Sequence, residues 1–365
     1  MLQSKLQTAL KAVGVVLIFC IVGVGILCLD RILTPSKSKA DTFEDARRNL
    51  MAAEFDGEMY MRKNIVTYMV AGVDKKDGEP EYHRNKKDAD FIMLVVVDKS
   101  NQKISAVNVN RDTMVVMDML GDNGWRTKSA DDLQPLTLAH TWGDGGRESA
   151  DNLRRAVSRL FLGVSIDHYI TLTMDAVGQL TDYINTHATS EEQKITVTFA
   201  KDADMTGLPE EWQAGSTVVI QGKDALTLVR SRDTNTDGSN ATRMERQSMY
   251  IEALASAIGN NKWDRSYMIG ALKSIESEMY TDHTNIDGLQ YEMQELFDAF
   301  GFYKHEDVID MVPGEGEEVG YGHYGKFTSN SGEENDAFYI DTPEEKAALQ
   351  SLVIKEFYRK IEKDD

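Results

Sequence analysis

Three short runs, Ile65–Val73 (IVTYMVAGV), Phe91–Val97 (FIMLVVV) and Ile104–Val109 (ISAVNV), are rich in β-branched residues and apolar almost from end to end. Strands with one wet face alternate apolar and polar residues, so these runs predict strands buried as neighbours in one sheet. Amphipathic segments follow them. Arg147–Leu162 places Leu153, Val157, Leu160 and Phe161 on one helical face, DHYITLTM at 167–174 returns to strand character, and Asp175–Ile184 reads as another helix. Ile195–Phe199 reads as a strand and Gly222–Val229 as a short helix, with further helices at Arg243–Ile258, Asp287–Phe300 and Pro343–Tyr358. Alternating strands and helices predict an α/β core, one domain spanning residues 64–365.

Upstream, Ala12–Leu29 (AVGVVLIFCIVGVGILCL) is eighteen residues without a charge. As a helix it is about 27 Å long, enough to span a bilayer, so the expectation is a transmembrane helix after a short cytoplasmic tail. It exceeds the usual apolar core of a cleaved signal peptide. Residues 30–63 read as a linker containing Pro35 and then a juxtamembrane helix, with Phe43, Leu50, Met51, Phe55 and Met59 at roughly helical spacing. Lys5 and Lys11 precede the span, while Arg31, Lys37, Lys39, Arg47 and Arg48 follow it. That balance alone would keep the domain inside the cell, but long domains translocate largely regardless of such charges. Cys20 and Cys28 both fall within the span, which leaves the rest of the chain no disulfide framework and no Cys metal site.

A formal net charge of −20 argues against nucleic-acid binding, which relies on Lys and Arg spread over phosphates. Within this acidic chain, Leu228–Gln247 (LVRSRDTNTDGSNATRMERQ) concentrates Arg230, Arg232, Arg243 and Arg246 against only Asp233, Asp237 and Glu245. If Arg243 opens a helix, Arg243, Arg246 and Gln247 share a face, and Arg230 and Arg232 point the same way in extended backbone. Brought together, such pairs present guanidinium forks suited to a diphosphate; the plainer alternative is a solvated face laced to acidic neighbours. Asp74 and Asp90 sit at ends of predicted strands, where they either share a hard divalent cation or serve as turn carboxylates. Arg111 and Asp112 in NRDTM, at another strand end, read either as a phosphate fork with a carboxylate to orient it or take a proton, or as a surface ion pair. No phosphate-binding glycine loop and no G-x-S-x-G elbow is present, and the seven histidines lack helical metal-ligand spacing.

In this order the motifs resemble the LytR-CpsA-Psr family of bacterial envelope enzymes, from about Ile65 to Ile258. A strand ending in GVD is followed by DADFIMLVVVDKSNQKISAVNVNRDTMV, and LAHTWGDGG resembles the family's Asn-His-Ala-Tyr-x-x-Gly-Gly stretch. GVSIDHYITLTMDAVGQLTDYI resembles a further family segment, and LTLVRSRDTNTDGSNATRMERQ its Arg-Ser-Arg to Arg-x-x-Arg-Gln signature. The resemblance implies a central mixed β-sheet flanked by helices (α-β-α) behind a single membrane span, with the domain outside the cell in a Gram-positive type envelope. It implies a Mg2+- or Mn2+-dependent enzyme that moves an anionic glycopolymer from a polyprenyl-pyrophosphate carrier onto peptidoglycan as a phosphodiester. Carried over residue by residue, the metal carboxylates fall on Asp74 and Asp90 and the pyrophosphate contacts on Arg111, Arg230, Arg232 and Arg243, with Arg246 and Gln247 from the same signature. Asp90, Arg111 and Asp112 are the expected catalytic residues, with the general base open between Asp90 and Asp112. This chain departs from the pattern in Asn110 where proline is usual, in Ala89 and Phe91 around Asp90, and in Arg84, Lys86 and Lys87 of the preceding loop. Two rival activities share the same clamp: a polyprenyl-pyrophosphate phosphohydrolase, and a membrane-anchored, non-catalytic binding or regulatory protein.

Overall fold

A computed structural model describes residues 52–361 except 75–84, 86, 121–125, 129–132, 232–240, 261–264, 283–303, 315–318 and 330–331. The expected membrane span Ala12–Leu29 and the expected helix Asp287–Phe300 lie outside the described residues, as do Arg84, Lys86 and Arg232. Among the described residues no helix is long and apolar enough to cross a membrane.

Numbering only the longer elements, the strands are β1 (Ala52–Phe55), β2 (Glu58–Arg62), β3 (Ile65–Val73), β4 (Ala89–Asp98), β5 (Lys103–Asn108), β6 (His168–Thr173), β7 (Met279–Thr281), β8 (Lys304–Asp310), β9 (His323–Thr328), β10 (Glu334–Tyr339) and β11 (Tyr358–Lys360). The helices are α1 (Arg147–Leu160), α2 (Met174–His187), α3 (Gly222–Arg230), α4 (Ala241–Asn260), α5 (Arg265–Ile275) and α6 (Pro343–Phe357). Six strands make the central sheet in the order β7-β6-β3-β4-β5-β8. It is mixed: β3 with β4, β4 with β5 and β6 with β7 are antiparallel, whereas β3 with β6 and β5 with β8 are parallel.

Both faces of this sheet are covered, as the unalternated apolar strands require. Tyr68, Val70, Met93 and Val95 pack with α2, α3, α4 and α5 through Leu180, Leu228, Leu254 and Leu272. Met69, Ala71, Ile92 and Leu94 pack the other way, against Leu153 and Val157 of α1 and Leu352 and Val353 of α6. The result is the expected α-β-α sandwich. Its last helix begins with a capping box, in which Thr342 accepts from the Glu345 N–H while the Glu345 carboxylate accepts from the Thr342 N–H, with Pro343 in the first turn.

Where the described residues begin, the expected juxtamembrane helix does not run through Phe55 and Met59. Ala52–Phe55 and Glu58–Arg62 are instead an antiparallel hairpin, turned at Asp56 (φ 52°) and Gly57 (φ 76°). Asp-Gly is the dipeptide that a two-residue turn with two positive φ angles favours, and here it overrides a weak helical spacing. β11 then pairs with β2, Tyr358 opposite Arg62, so the C-terminal strand closes onto a hairpin that lies upstream of the expected domain start.

Space around Gly57 is open, so a Cβ there meets nothing and only the positive φ resists it. Gly57→Ala should therefore destabilise the protein by about 1 kcal/mol through backbone strain alone, read as a lower urea midpoint with an unchanged slope.

Candidate functional site

β3 and β4 meet at one end of the sheet, and both candidate carboxylates sit there. Gly72 pairs with Phe91 and Val73 with Ala89, which makes Asp90 the extra residue of a β-bulge. Bulges near strand ends re-aim a side chain, and this one carries a carboxylate out of an otherwise apolar strand. Asp74 follows directly after β3 and donates its N–H to the Asp88 carbonyl at 3.0 Å.

Charge is then met by charge from three other elements. Arg111, just past β5, places Nη1 against Asp90 Oδ1 and donates from Nε to Asp112 Oδ1 at 3.1 Å. Arg243, in the first turn of α4, reaches the same Asp90 oxygen at 3.5 Å. Arg230, the last residue of α3, holds Asp74 Oδ1 at 2.5 Å; a cation there also suits the negative end of the helix dipole. The side chains differ sharply in exposure, 3% for Arg243 against 46% for Arg230. Asp74, Asp90, Arg111, Asp112, Arg230 and Arg243 are thus brought together, as their motifs predicted.

Two expectations need correction. Arg230 ends a helix and is not in extended backbone, so alternation with Arg232 is not what aims it. Arg246 shares the buried face of α4 with Arg243 and Gln247, yet its Nη2 donates to the carbonyls of Asp204 and Thr206 at 2.9 and 3.0 Å and ties down that loop. One helical turn moves a guanidinium from the carboxylates to a neighbouring backbone. Gln247 lies nearer, with Nε2 at 3.3 Å from the Val229 carbonyl and 3.5 Å from that of Asp90.

Supporting residues appear that spacing did not reveal. The segment entering Asp90 is fastened to the LAHTWGDGG stretch: Asn85 Nδ2 donates to the carbonyls of His140 and Gly143 and to Ser149 Oγ, and Lys87 Nζ donates to the Gly145 carbonyl at 3.0 Å. His140 is fully buried and donates Nδ1–H to the Lys87 carbonyl at 2.9 Å. Gly143 (φ 137°) cannot carry a side chain, because a Cβ would lie 2.8 Å from the Ser149 backbone nitrogen. On the other side, Asn110 accepts from the Asp112 N–H and donates to the Tyr324 hydroxyl at 3.3 Å, while the Phe338 N–H donates to the Asp112 carbonyl at 2.8 Å. Asn110, the residue that departs from the family's proline, is therefore where the β9–β10 hairpin grips the Arg111–Asp112 loop. That a hairpin some two hundred residues later would dock here has no local signal.

Behind the charged cluster, between the sheet and helices α2 and α4, lies an open apolar cavity. Gly72, Phe91, Leu172, Val177, Leu180, Ile251 and Leu254 line it, and Gln247 is its polar border with Asp90. Its wall is almost entirely hydrocarbon.

A family model described as the LytR_cpsA_psr family matches residues 31–323. The polyisoprenyl-teichoic acid–peptidoglycan teichoic acid transferase TagU of Halalkalibacterium halodurans is 22% identical over 281 residues, 77% of this chain and 75% of the relative. Among solved structures, protein gbs0355 of Streptococcus agalactiae superposes with a TM-score of 0.57 at 19% identity, covering 88% of this chain and 91% of its own. TagV of B. subtilis superposes with a TM-score of 0.55 at 16% identity, covering 81% and 98%. These two structures share the fold.

Burial pushes the His140 imidazole from the ordinary 6.5 down to about 4. The unfolded chain takes up this proton first, so the neutral histidine's contribution is complete above pH 6.5 and is lost as pH falls towards 4. On the order of 3 kcal/mol is at stake. Unfolding free energies measured between pH 4 and 7 should rise with pH over this window, and His140→Gln should remove that part of the slope.

Proposed function

The chain belongs to the LytR-CpsA-Psr family, and on that premise we propose that it is a cell-wall glycopolymer transferase. Its substrate would be an anionic glycopolymer on a polyprenyl pyrophosphate, and its acceptor peptidoglycan. The name of the TagU relative describes a transfer of teichoic acid from a polyisoprenyl carrier to peptidoglycan. The observation that carries the reading is the juxtaposition of a guanidinium–carboxylate cluster with an apolar cavity, joined through Gln247. A pyrophosphate attached to a long hydrocarbon needs those two surfaces side by side.

Electrostatics supports the same assignment. Among the described residues the cluster sets Arg111, Arg230 and Arg243 against Asp74, Asp90 and Asp112, so it is close to neutral by itself. A pyrophosphate entering alone would leave buried negative charge, whereas one accompanied by a divalent cation would not. Asp74 and Asp90 offer hard oxygen donors from adjacent strand ends, the kind that Mg2+ or Mn2+ takes. In that role the ion would neutralise charge on the pyrophosphate. Arg230, the most exposed of the three arginines, is free to turn from Asp74 to phosphate, and Arg111 would do the same from Asp90. Asp90 would be taken up by the metal and by the buried Arg243, so Asp112 is the carboxylate we assign to the proton of the attacking hydroxyl. That hydroxyl forms a bond to the phosphorus bearing the polymer, the bridging P–O bond breaks, and polyprenyl phosphate leaves. Arginines positioned on transferring and leaving phosphates provide most of the catalysis such reactions need.

The uncharged run Ala12–Leu29 would anchor the chain, with the α/β domain on the outer side of the membrane.

Arg230→Ala should lower transfer from a lipid-linked polymer at least about a hundredfold with a smaller change in unfolding midpoint than a buried arginine would give, because the Arg230 guanidinium is half in solvent and water can take its place beside Asp74. Arg243→Ala, which removes a guanidinium that is itself buried and leaves Asp90 to Arg111 alone, should instead lower the midpoint clearly. Normal turnover by Arg230→Ala would refute the clamp, and release of free polymer without attachment would identify a hydrolase. Filling the cavity with Ala176→Phe should weaken binding of a long-chain polyprenyl pyrophosphate while inorganic pyrophosphate still binds; equal loss of both would disconnect the cavity from the lipid.

A further inference from the structure

We infer that Tyr280, with Lys87 and the Asp144–Gly146 turn, forms a saccharide-binding subsite for the acceptor peptidoglycan strand, on the opposite face of the sheet from the lipid cavity. The inference rests on the transferase reading and names where its second substrate binds.

In-line displacement at phosphorus requires the attacking and leaving oxygens on opposite sides. The cavity belongs to the α2–α4 face: Leu172 of β6 lines it, as do Val70 and Gly72 of β3. Side chains alternate across a sheet, so Thr171 and its cross-strand neighbour Tyr280 stand on the other face, the one covered by α1. An acceptor that approaches opposite to a leaving lipid phosphate comes in over this second face.

Tyr280 is suited to receive it. Among the described residues the exposed large apolar side chains are Met59, Leu133, Leu162, Tyr280 and Val319, and Tyr280 is the aromatic one. It is 36% exposed but well held: Gly146 packs so closely on its ring that a Cβ there would lie 3.2 Å from Cε1, and Lys87 Nζ stands 5.5 Å from the ring centroid. Lys87 is itself fixed to the Gly145 carbonyl. Asp144 is exposed beside it, its Oδ1 accepting from the N–H groups of Gly146 and Glu148. A rigid aromatic plane with a cation over one face, and an exposed carboxylate on the turn that packs against it, matches a sugar ring, which offers C–H groups on one face and hydroxyls around its edge.

The subsite also lies at a useful distance. Tyr280 is opposite Thr171, Thr171 is opposite Ala71, and Ala71 is three residues before Asp74. With strands about 4.8 Å apart and a rise of about 3.3 Å per residue, Tyr280 is on the order of 14 Å from the carboxylates. A strand of several sugars spans that gap and a single sugar does not. Lys87, three positions before Asp90 along the chain, stands over the Tyr280 ring and so connects the subsite to the segment that carries Asp90.

The test is steady-state transfer by the full chain, with lipid-linked polymer as donor and purified peptidoglycan glycan strands as acceptor. Tyr280→Ala should raise KM for the strands about tenfold, with kcat and donor KM unchanged, and Tyr280→Trp should restore wild-type behaviour. A rise confined to donor KM would mean that the patch holds the donor's own sugars and would overturn the assignment, as would no change in either constant. Should Tyr280→Ala fail to fold, Tyr280→Leu keeps apolar bulk against Gly146 without the flat ring and is expected to show the same rise. If wild type proves to be a hydrolase, the transferase reading fails by itself, and direct titration with glycan strands still decides this inference. Binding weakened by Tyr280→Ala supports it, and equal affinity of wild type and variant refutes it.

Discussion

A carboxylate carried into the end of an apolar sheet must be neutralised where it sits, and Asp90 imposes that condition on everything around it. The bulge pushes it out of β4, and two guanidinium groups from distant parts of the chain converge on a single oxygen. Removing one partner of a buried pair of this kind typically costs about 3–5 kcal/mol, a large share of a domain's net stability of about 5–15 kcal/mol. The loop after β5 and the first turn of α4 are therefore held in place by the charge as much as by the core, and the β9–β10 hairpin braces that loop from behind.

The arginines around this point are graded. Arg243 is buried and acts as a structural anchor, whereas Arg230 is half in solvent on its carboxylate, Asp74. Such grading lets one site be both stable when empty and adaptable when filled. The inner pair fixes geometry, and the outer one can exchange its carboxylate for phosphate at little cost.

The sheet also divides the molecule into two working surfaces. A hydrocarbon cavity opens on the face of α2 and α4, and the exposed Tyr280 ring lies on the face of α1. In the proposed reaction the phosphorus sits at the strand ends between them, so a membrane-soluble leaving group and a wall-bound acceptor never compete for the same side. LAHTWGDGG serves this arrangement structurally, because Gly143, His140 and Gly145 hold the segment that leads into Asp90.

Much of this was legible in the residues themselves. Unbroken apolar runs placed β3, β4 and β5 to within two residues, since a strand wetted on neither face tolerates little else, and helical spacing located α6. The motifs named six of the residues that gather at the strand ends, because local spacing decides which side chains stand at the close of a strand or on one face of a helix. Register and docking are not local. That Asp90 is a bulge depends on how β3 aligns with β4, that Arg246 turns to the 204–206 backbone depends on where α4 settles, and that Asn110 meets Tyr324 depends on a hairpin folding back across the whole domain. Those outcomes are set by which surfaces bury the most area and leave no charge unpaired, and they exist only once the tertiary structure has formed.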